Sequence, residues 1–361
     1  MTPSADSRAE ALRLKQQFEQ AGAVSLEADV LQPAATLLDL YGEDIRARAF
    51  VTSDPLRGEQ MLRPDFTVPV VQMHMEHGAE PARYTYSGVV FRRQEDDASR
   101  PSEYQQVGYE VFDREDPAAA DAEVFSLLSG ALGDLNLRAA TGDIGILMAA
   151  VNGLNTTDRR KSALMRHIWR PKRFRALLDR FSGKSEVPAT RQALLEASDP
   201  FAKSGPHIGL RSEHEIQSRI EALKEDAATP PIAHSEVDLL SAILQVRDVC
   251  ASALEQLRDI AVDMPQIDTA VEGLARRMSA LDDRGVDVDA LEFEASYGRT
   301  SMEYYDGFVF GLYSTKQADM PPVATGGRYD ALTRRLGGGN SIPAVGGVIR
   351  PDLVLALRGQ S

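Results

Sequence analysis

The chain has 361 residues, 43% of them hydrophobic, a formal charge of −14 and one cysteine. That apolar content supplies a sizeable core and excludes global disorder. The lone Cys250 excludes an internal disulfide framework and a Cys-rich zinc site, and the acidic balance argues against an extended nucleic-acid surface, which needs a basic footprint.

In chain order, Ser7 to Ala23 reads as an amphipathic helix, with Ala11, Leu14 and Phe18 on one stripe among charged residues. Met1 to Gln20 is polar and charged, so no secretory signal is expected. Pro33 to Tyr41 predicts a second helix with Pro in its first turn. Pro64 and Asp65 mark a turn, and Val68 to His74 begins another helix. Arg83 to Arg92 and Tyr104 to Phe112 are strand candidates around a charged loop. Asp116-Pro117 is an N-cap followed by Pro at the first helical position, and Val124, Leu128, Ala131 and Leu135 share a stripe beyond it.

Ala139 to Val151 reads as a buried strand with an exit turn; its apolar run, Ile144 to Val151, is too short to span a bilayer. From about Asn155 to Asp287 charged helical periodicity dominates, broken at Gly205-Pro206 and Pro230-Pro231. Strand signals return from Leu291, in ALEFEAS and YYDGFVFGLYS. GGRYD (Gly326 to Asp330) and LGGGN (Leu336 to Asn340) read as turns, and AVGGVIRPDLVLAL as a strand running into a short helix. The pattern predicts an α+β fold whose sheet is completed by the C-terminal segment. The division expected is a core of residues 1–154 and 288–361 around a helical insertion of 155–287.

Several residues are candidates for chemistry. Gln106 and Glu110 fall on one face of their strand, roughly 13 Å apart, with Gly108 between them leaving room for a ligand. Arg92 ends the preceding strand. The competing reading is a solvated polar sheet face. Tyr304, Tyr305 and Tyr329 offer flat rings and hydroxyls to an aromatic ligand with ring nitrogens, or are ordinary core tyrosines. HIWRPKRFRALLDR is a basic run in an acidic protein; it meets nucleic acid or an acidic partner surface, or is a solvated helix face. The six histidines have no metal-ligand spacing, and no nucleophile–base pair, P-loop or dinucleotide fingerprint is present, so no metal or cofactor is expected.

The order LRPDFT, YSGVVFRRQ, EYQQVGYEVFD, EYYDGFVF, GGRYD, VGGVIRPDLVLAL resembles the catalytic domain of histidyl-tRNA synthetases. The likeness covers roughly residues 5–150 and 290–358. It implies a class II aminoacyl-tRNA synthetase-like antiparallel sheet flanked by helices. Motif 1 would lie near Pro33 and build a dimer, motif 2 would be Phe91 to Glu110, and motif 3 Gly346 to Leu357. The ligand implied is histidine, with Glu110 and Tyr305 meeting the ring nitrogens and Tyr304 and Tyr329 lining the pocket. Asp65, Thr67 and Gln106 would accept from the ammonium, and Arg92 would stand where the synthetases hold a phosphate.

Two departures bear on activity. Synthetases have RGLDYY where this chain has TSMEYY, so Thr300 replaces the arginine that promotes adenylate formation, and Arg299 lies one place off. Gln94 replaces the motif 2 Glu that contacts adenine, while Arg350 is kept. Loss of a positioned cation typically costs orders of magnitude in rate. Synthetases also carry an anticodon-binding domain beyond motif 3, whereas this sequence runs only to Ser361; tRNA charging is not expected. This combination resembles the regulatory subunits of ATP phosphoribosyltransferase. That likeness implies a non-catalytic, cytoplasmic subunit that activates the short-form catalytic subunit, at the first step of histidine biosynthesis, and confers histidine control. Histidine would bind either in the old synthetase pocket or at the subunit interface.

Overall fold

A computed structural model describes residues 4–41, 48–94, 100–202, 205, 208–299 and 304–359. The loop after Gln94 (95–99), Pro206 and Thr300 lie outside the described residues.

Helix α1 (Ala5–Gln20) starts at Ser4, whose hydroxyl accepts from the Ser7 amide, and buries Ala11, Leu14 and Phe18. Short strands β1 (Val24–Ser25) and β2 (Leu31–Pro33) lead into α2 (Ala34–Tyr41). Strands β3 (Val51–Asp54) and β4 (Gly58–Leu62) complete a small sheet of order β2-β4-β3. Then follow α3 (Thr67–His77), β5 (Ala82–Phe91), β6 (Glu103–Phe112) and α4 (Pro117–Ala131). The predicted cap holds, as the Asp116 carboxylate accepts from the Ala119 amide at 3.0 Å.

The Ala139 to Val151 expectation was half right. Strand β7 (Leu137–Asp143) stops at Asp143, which caps α5 (Ile144–Gly153) by accepting from the Gly145 amide at 2.8 Å. Periodicity does not separate a short buried strand from a buried helix; the Asp–Ile–Gly start was the missed signal. Helices α6 (Asp158–Arg166), α7 (Pro171–Phe181), α8 (Ala189–Glu196), α9 (Glu213–Ala228) and α10 (His234–Gln245) follow. Strand β8 (Arg247–Val249), α11 (Cys250–Asp263), a 3-10 turn (Pro265–Ile267) and α12 (Asp268–Asp282) end the middle of the chain, which is mostly helical as expected. The remainder is β9 (Glu292–Glu294), β10 (Phe308–Ser314), β11 (Ala324–Arg328), α13 (Asp330–Leu336), β12 (Ala344–Ile349) and α14 (Pro351–Arg358).

The main sheet has nine strands in the order β1-β5-β6-β12-β11-β10-β7-β9-β8, antiparallel except for the β1–β5 and β7–β9 pairs. The C-terminal strand β12 therefore sits inside the sheet, between β6 and β11. Along β6 alternate residues face opposite ways. Tyr109 turns to the back, where its ring lies 5.5 Å from Phe18 of α1 and its hydroxyl donates to Glu123 of α4. Gln106, Gly108 and Glu110 face the front.

Two expectations need correction here. Tyr304 and Tyr305 are not on a strand; they form a turn ahead of Phe308. Gly326 and Gly327 are not turn residues but belong to β11. A Cβ on Gly327 would stand 2.8 Å from the Tyr305 ring, so glycine is what lets that ring lie flat on the strand.

The middle helices are fastened to the sheet by buried ion pairs. Arg277 of α12 donates to Asp143 at 2.7 Å and to Asp121 of α4 at 3.2 Å, and Arg328 of β11 shares Asp121 at 2.7 Å. Three carboxylate–guanidinium contacts compensate one another where any lone charge would be costly.

Candidate functional site

Glu110 is the centre of the front face. It is 1% exposed, and three hydroxyls donate to it: Tyr329 to Oε2 at 2.5 Å, Tyr86 to Oε1 at 2.7 Å and Thr67 to Oε1 at 3.3 Å. Burial pushes its carboxyl up to about 7 against the pull of these hydrogen bonds, and the nearby Asp65 carboxylate adds to the rise. A carboxylate offers about four acceptor positions. Three are taken, which leaves one.

The backbone makes room for this arrangement at two glycines. Gly346 lies opposite Glu110 on β12, and a Cβ there would stand 1.4 Å from Oε2. Gly108 lies opposite Tyr86 on β5, and a Cβ there would meet the phenol ring at 2.2 Å. The space expected above Gly108 is therefore filled by Tyr86 rather than left for a ligand. Tyr86 was missed from the sequence; its signal was the alternation Tyr84–Tyr86 on a strand that enters the loop before Glu110.

The tyrosines converge as expected. Tyr304 lies edge-on to Tyr305 at 4.9 Å and to Tyr329 at 6.1 Å, and its hydroxyl donates to Thr67 at 3.4 Å. Tyr305 is 7% exposed; burial, and next the Glu110 charge, raise its phenol above the ordinary range. Asp65 and Thr67, both buried, sit at the turn into α3, and the Asp65 charge also acts on Tyr86 and Tyr305. Gln106 is 1% exposed, and its Oε1 has no donor among the described residues. A buried acceptor left without a donor is costly, so this atom is available to accept from a ligand.

The Arg92 charge acts on Tyr305, lowering its phenol against the rise from burial. Arg92 Nε donates to the Pro64 carbonyl at 2.8 Å, which pins the turn carrying Asp65. Its guanidinium also opens a separate cavity of about 200 Å³ lined by Arg48, Arg93, Arg100, Arg350 and Tyr104. Arg350 and Arg92 both approach the Tyr104 ring, at 5.1 and 5.9 Å. Burial lowers the Arg350 guanidinium below its usual range, and Arg92 and Arg100 push it the same way. Gln94, also on this wall, donates to the Pro101 carbonyl at 3.0 Å.

Arg299 is turned away from both places. Its Nε donates to the Ile168 carbonyl at 2.7 Å and its guanidinium lies 4.9 Å over the Phe174 ring of α7. Burial, and then Arg175, lower it to about 10. It makes no hydrogen bond to the Glu110 cluster among the described residues.

A histidyl-tRNA synthetase family model matches residues 2–205 and 213–354. The ATP phosphoribosyltransferase regulatory subunit of Brucella anthropi is 30% identical over 356 residues, 93% of this chain and 93% of that protein. Its counterpart in Brucella canis is 30% identical over 97% of this chain and 96% of its own length. The chain belongs to the ATP phosphoribosyltransferase regulatory subunit family, within the histidyl-tRNA synthetase-like proteins.

Solved structures agree on the fold. An ATP phosphoribosyltransferase regulatory subunit/histidyl-tRNA synthetase from Bacillus halodurans C superposes with a TM-score of 0.68 at 20% identity, over 98% of this chain and 79% of that one. A histidine–tRNA ligase subunit from Alicyclobacillus acidocaldarius gives 0.61 at 23% identity, over 98% and 93%. The family thus has the class II synthetase-like mixed fold expected from the motif order. No helix among the described residues is long and apolar enough to cross a membrane.

Proposed function

We propose that this chain is a non-catalytic regulatory subunit that activates a short-form ATP phosphoribosyltransferase catalytic subunit and transmits histidine control to it in the cytoplasm. The observation that carries the reading is the 30% identity, over almost its whole length, to proteins named as that regulatory subunit. Histidine binds at the Glu110 cluster in this reading. The vacant acceptor position of Glu110 takes a ring N–H, and the phenols of Tyr305, Tyr304 and Tyr329 wall the ring. Gln106 Oε1, with Asp65 and Thr67, accepts from the ammonium. Arg92 holds the turn that presents Asp65 and sets the side on which the ligand carboxylate lies.

Control is then a coupling free energy between the histidine site and the partner contact, typically ~1–3 kcal/mol for such systems. The chain also pairs with itself through the motif 1 region. There, Val24, Val30, Leu31, Phe50 and Val51 leave apolar side chains exposed around the small sheet, a patch of the kind that marks a protein contact. The core of 1–154 and 288–361 and the insertion of 155–287 are the units between which control passes.

The test is to mix the chain with a short-form catalytic subunit and measure complex formation, turnover and histidine inhibition. Complex, faster turnover and histidine sensitivity lost in Glu110→Gln are the expected results; no complex would refute the reading. A second reading, adenylation of an amino acid, is favoured by the arginines around Tyr104. Pyrophosphate exchange with histidine and ATP decides it, and we expect none.

A further inference from the structure

The basic run at Arg166 to Arg175 plays no part in the sites above. It holds five cations, Arg166, Arg170, Lys172, Arg173 and Arg175, and no acid, in a protein of net charge −14. It begins at the end of α6, passes through a tight turn and enters α7, whose Phe174, Leu178 and Phe181 face inward. Arg166, Lys172, Arg173 and Arg175 are exposed. Among the described residues, no carboxylate forms an ion pair with Lys172 or Arg173, whereas neighbouring Arg159, Arg160 and Arg180 all pair with acids of α9. Lys172 and Arg173 thus present their charge to solvent without an acidic partner among the described residues.

The inner side of the same turn is tied to the candidate site. Trp169 Nε1 donates to the Tyr305 carbonyl at 3.2 Å. Arg299 reaches in from the segment preceding Tyr304, bonds the Ile168 carbonyl and stacks on Phe174. The turn between α6 and α7 is thus held from two sides by the polypeptide that carries Tyr304 and Tyr305. The α6–α7 turn and the Tyr305 backbone are therefore in direct contact.

We infer that the exposed basic face of α7 docks an acidic surface of a partner protein, and that Trp169 and Arg299 couple this contact to the Glu110–Tyr305 site. The inference rests on the regulatory reading above and says where the partner sits. The extent of the patch favours a protein over a nucleic acid: it is one short helix, too small for the many phosphate contacts on which nucleic-acid affinity depends. A like copy is less suited, because the apolar patch near β2 and β3 already serves self-association in that reading.

The experiment compares the wild-type chain with K172E/R173E and with W169F, each with the short-form catalytic subunit. Neither Lys172 nor Arg173 is buried, so thermal melts of the double variant should match wild type and serve as the folding control. The double variant should bind the catalytic subunit at least about tenfold more weakly, and wild-type affinity should fall as salt rises. Trp169→Phe should still form the complex, but the ratio of histidine affinities with and without the partner should move towards one. If wild type forms no complex, the regulatory reading fails and this inference with it. If wild type binds and K172E/R173E binds equally well, the inference alone is overturned. It is overturned equally if the double variant loses only tRNA binding, or if W169F leaves the histidine ratio unchanged.

Discussion

The Glu110 cluster and the arginine cavity lie on the same sheet and handle buried charge in opposite ways. At Glu110 a single carboxylate is met by three protein hydroxyls, and two glycines clear the space it occupies. Around Tyr104 several guanidiniums gather, and one of them, Arg350, is held below its usual range by burial and by its like-charged neighbours. The first arrangement meets its carboxylate with donors from the protein itself. The second keeps its charges close at a cost that an arriving anion would offset.

The comparison is most severely tested at Gly346. Gly346→Ala places a methyl on Glu110 Oε2, and overpacking of this kind costs about 1–3 kcal/mol, occasionally more. We expect a fall in denaturant midpoint and loss of histidine binding by calorimetry, whereas an unchanged midpoint would show that the carboxylate has room to move.

Protonation gives the next largest effect. The Glu110 carboxyl is raised in the folded state to about 7, from 4.5. Its contribution is therefore fully present below pH 4.5 and is lost as pH rises through 7. The total is on the order of 3 kcal/mol. Asp306, which caps α13 by accepting from the Asp330 and Ala331 amides, is raised to about 7 by burial and by Asp330, and acts with the same sign. In urea titrations from pH 5 to 8, Glu110→Gln should show a stability loss with rising pH that is visibly smaller than that of wild type. Parallel curves would remove Glu110 as the titrating group.

Tyr329→Phe removes the donor to Oε2 and leaves a buried acceptor unmet, at a cost of about 1–3 kcal/mol. That hydrogen bond favours the charged carboxylate, so the cost should be larger at pH 8 than at pH 5. At the small end, Arg350→Met should change stability by less than about 1 kcal/mol, because replacing a buried charge with a hydrophobe of similar volume is often neutral or favourable. A strong destabilisation by Arg350→Met would mean that the cavity, too, is internally compensated.

Much of the fold was legible in local chemistry. Asp116 caps a helix, Leu14 and Phe18 bury one stripe, and the Tyr- and Val-rich runs pair as β5 and β6; the Ser4 cap, three residues ahead of the expected helix start, came from the structure. The failures share one cause. Ile144 to Val151 is apolar on every side, so its period carries no information about helix or strand. Gly326 and Gly327 look like a turn because glycine usually marks one, yet here each makes way for a ring or a carbonyl from a neighbouring strand. Tyr304 and Tyr305 precede a strand without joining it. Of the proposed site, Asp65, Thr67, Glu110, Tyr304, Tyr305 and Tyr329 do meet, Gln106 shares the Glu110 face of β6, and Arg92 acts through the Pro64 turn.

By itself the sequence determined the residue types, the Asp116 cap, the strand alternation and the motif order that led to the family, because these depend on neighbours along the chain. Only the tertiary structure decided that Tyr86 rather than a ligand fills the space over Gly108, that Arg299 turns to α7, and that β12 lies against β6 with Gly346 under Glu110. Those outcomes are set by contacts between segments up to more than two hundred residues apart, where packing and desolvation, not local propensity, choose which side chain occupies which space.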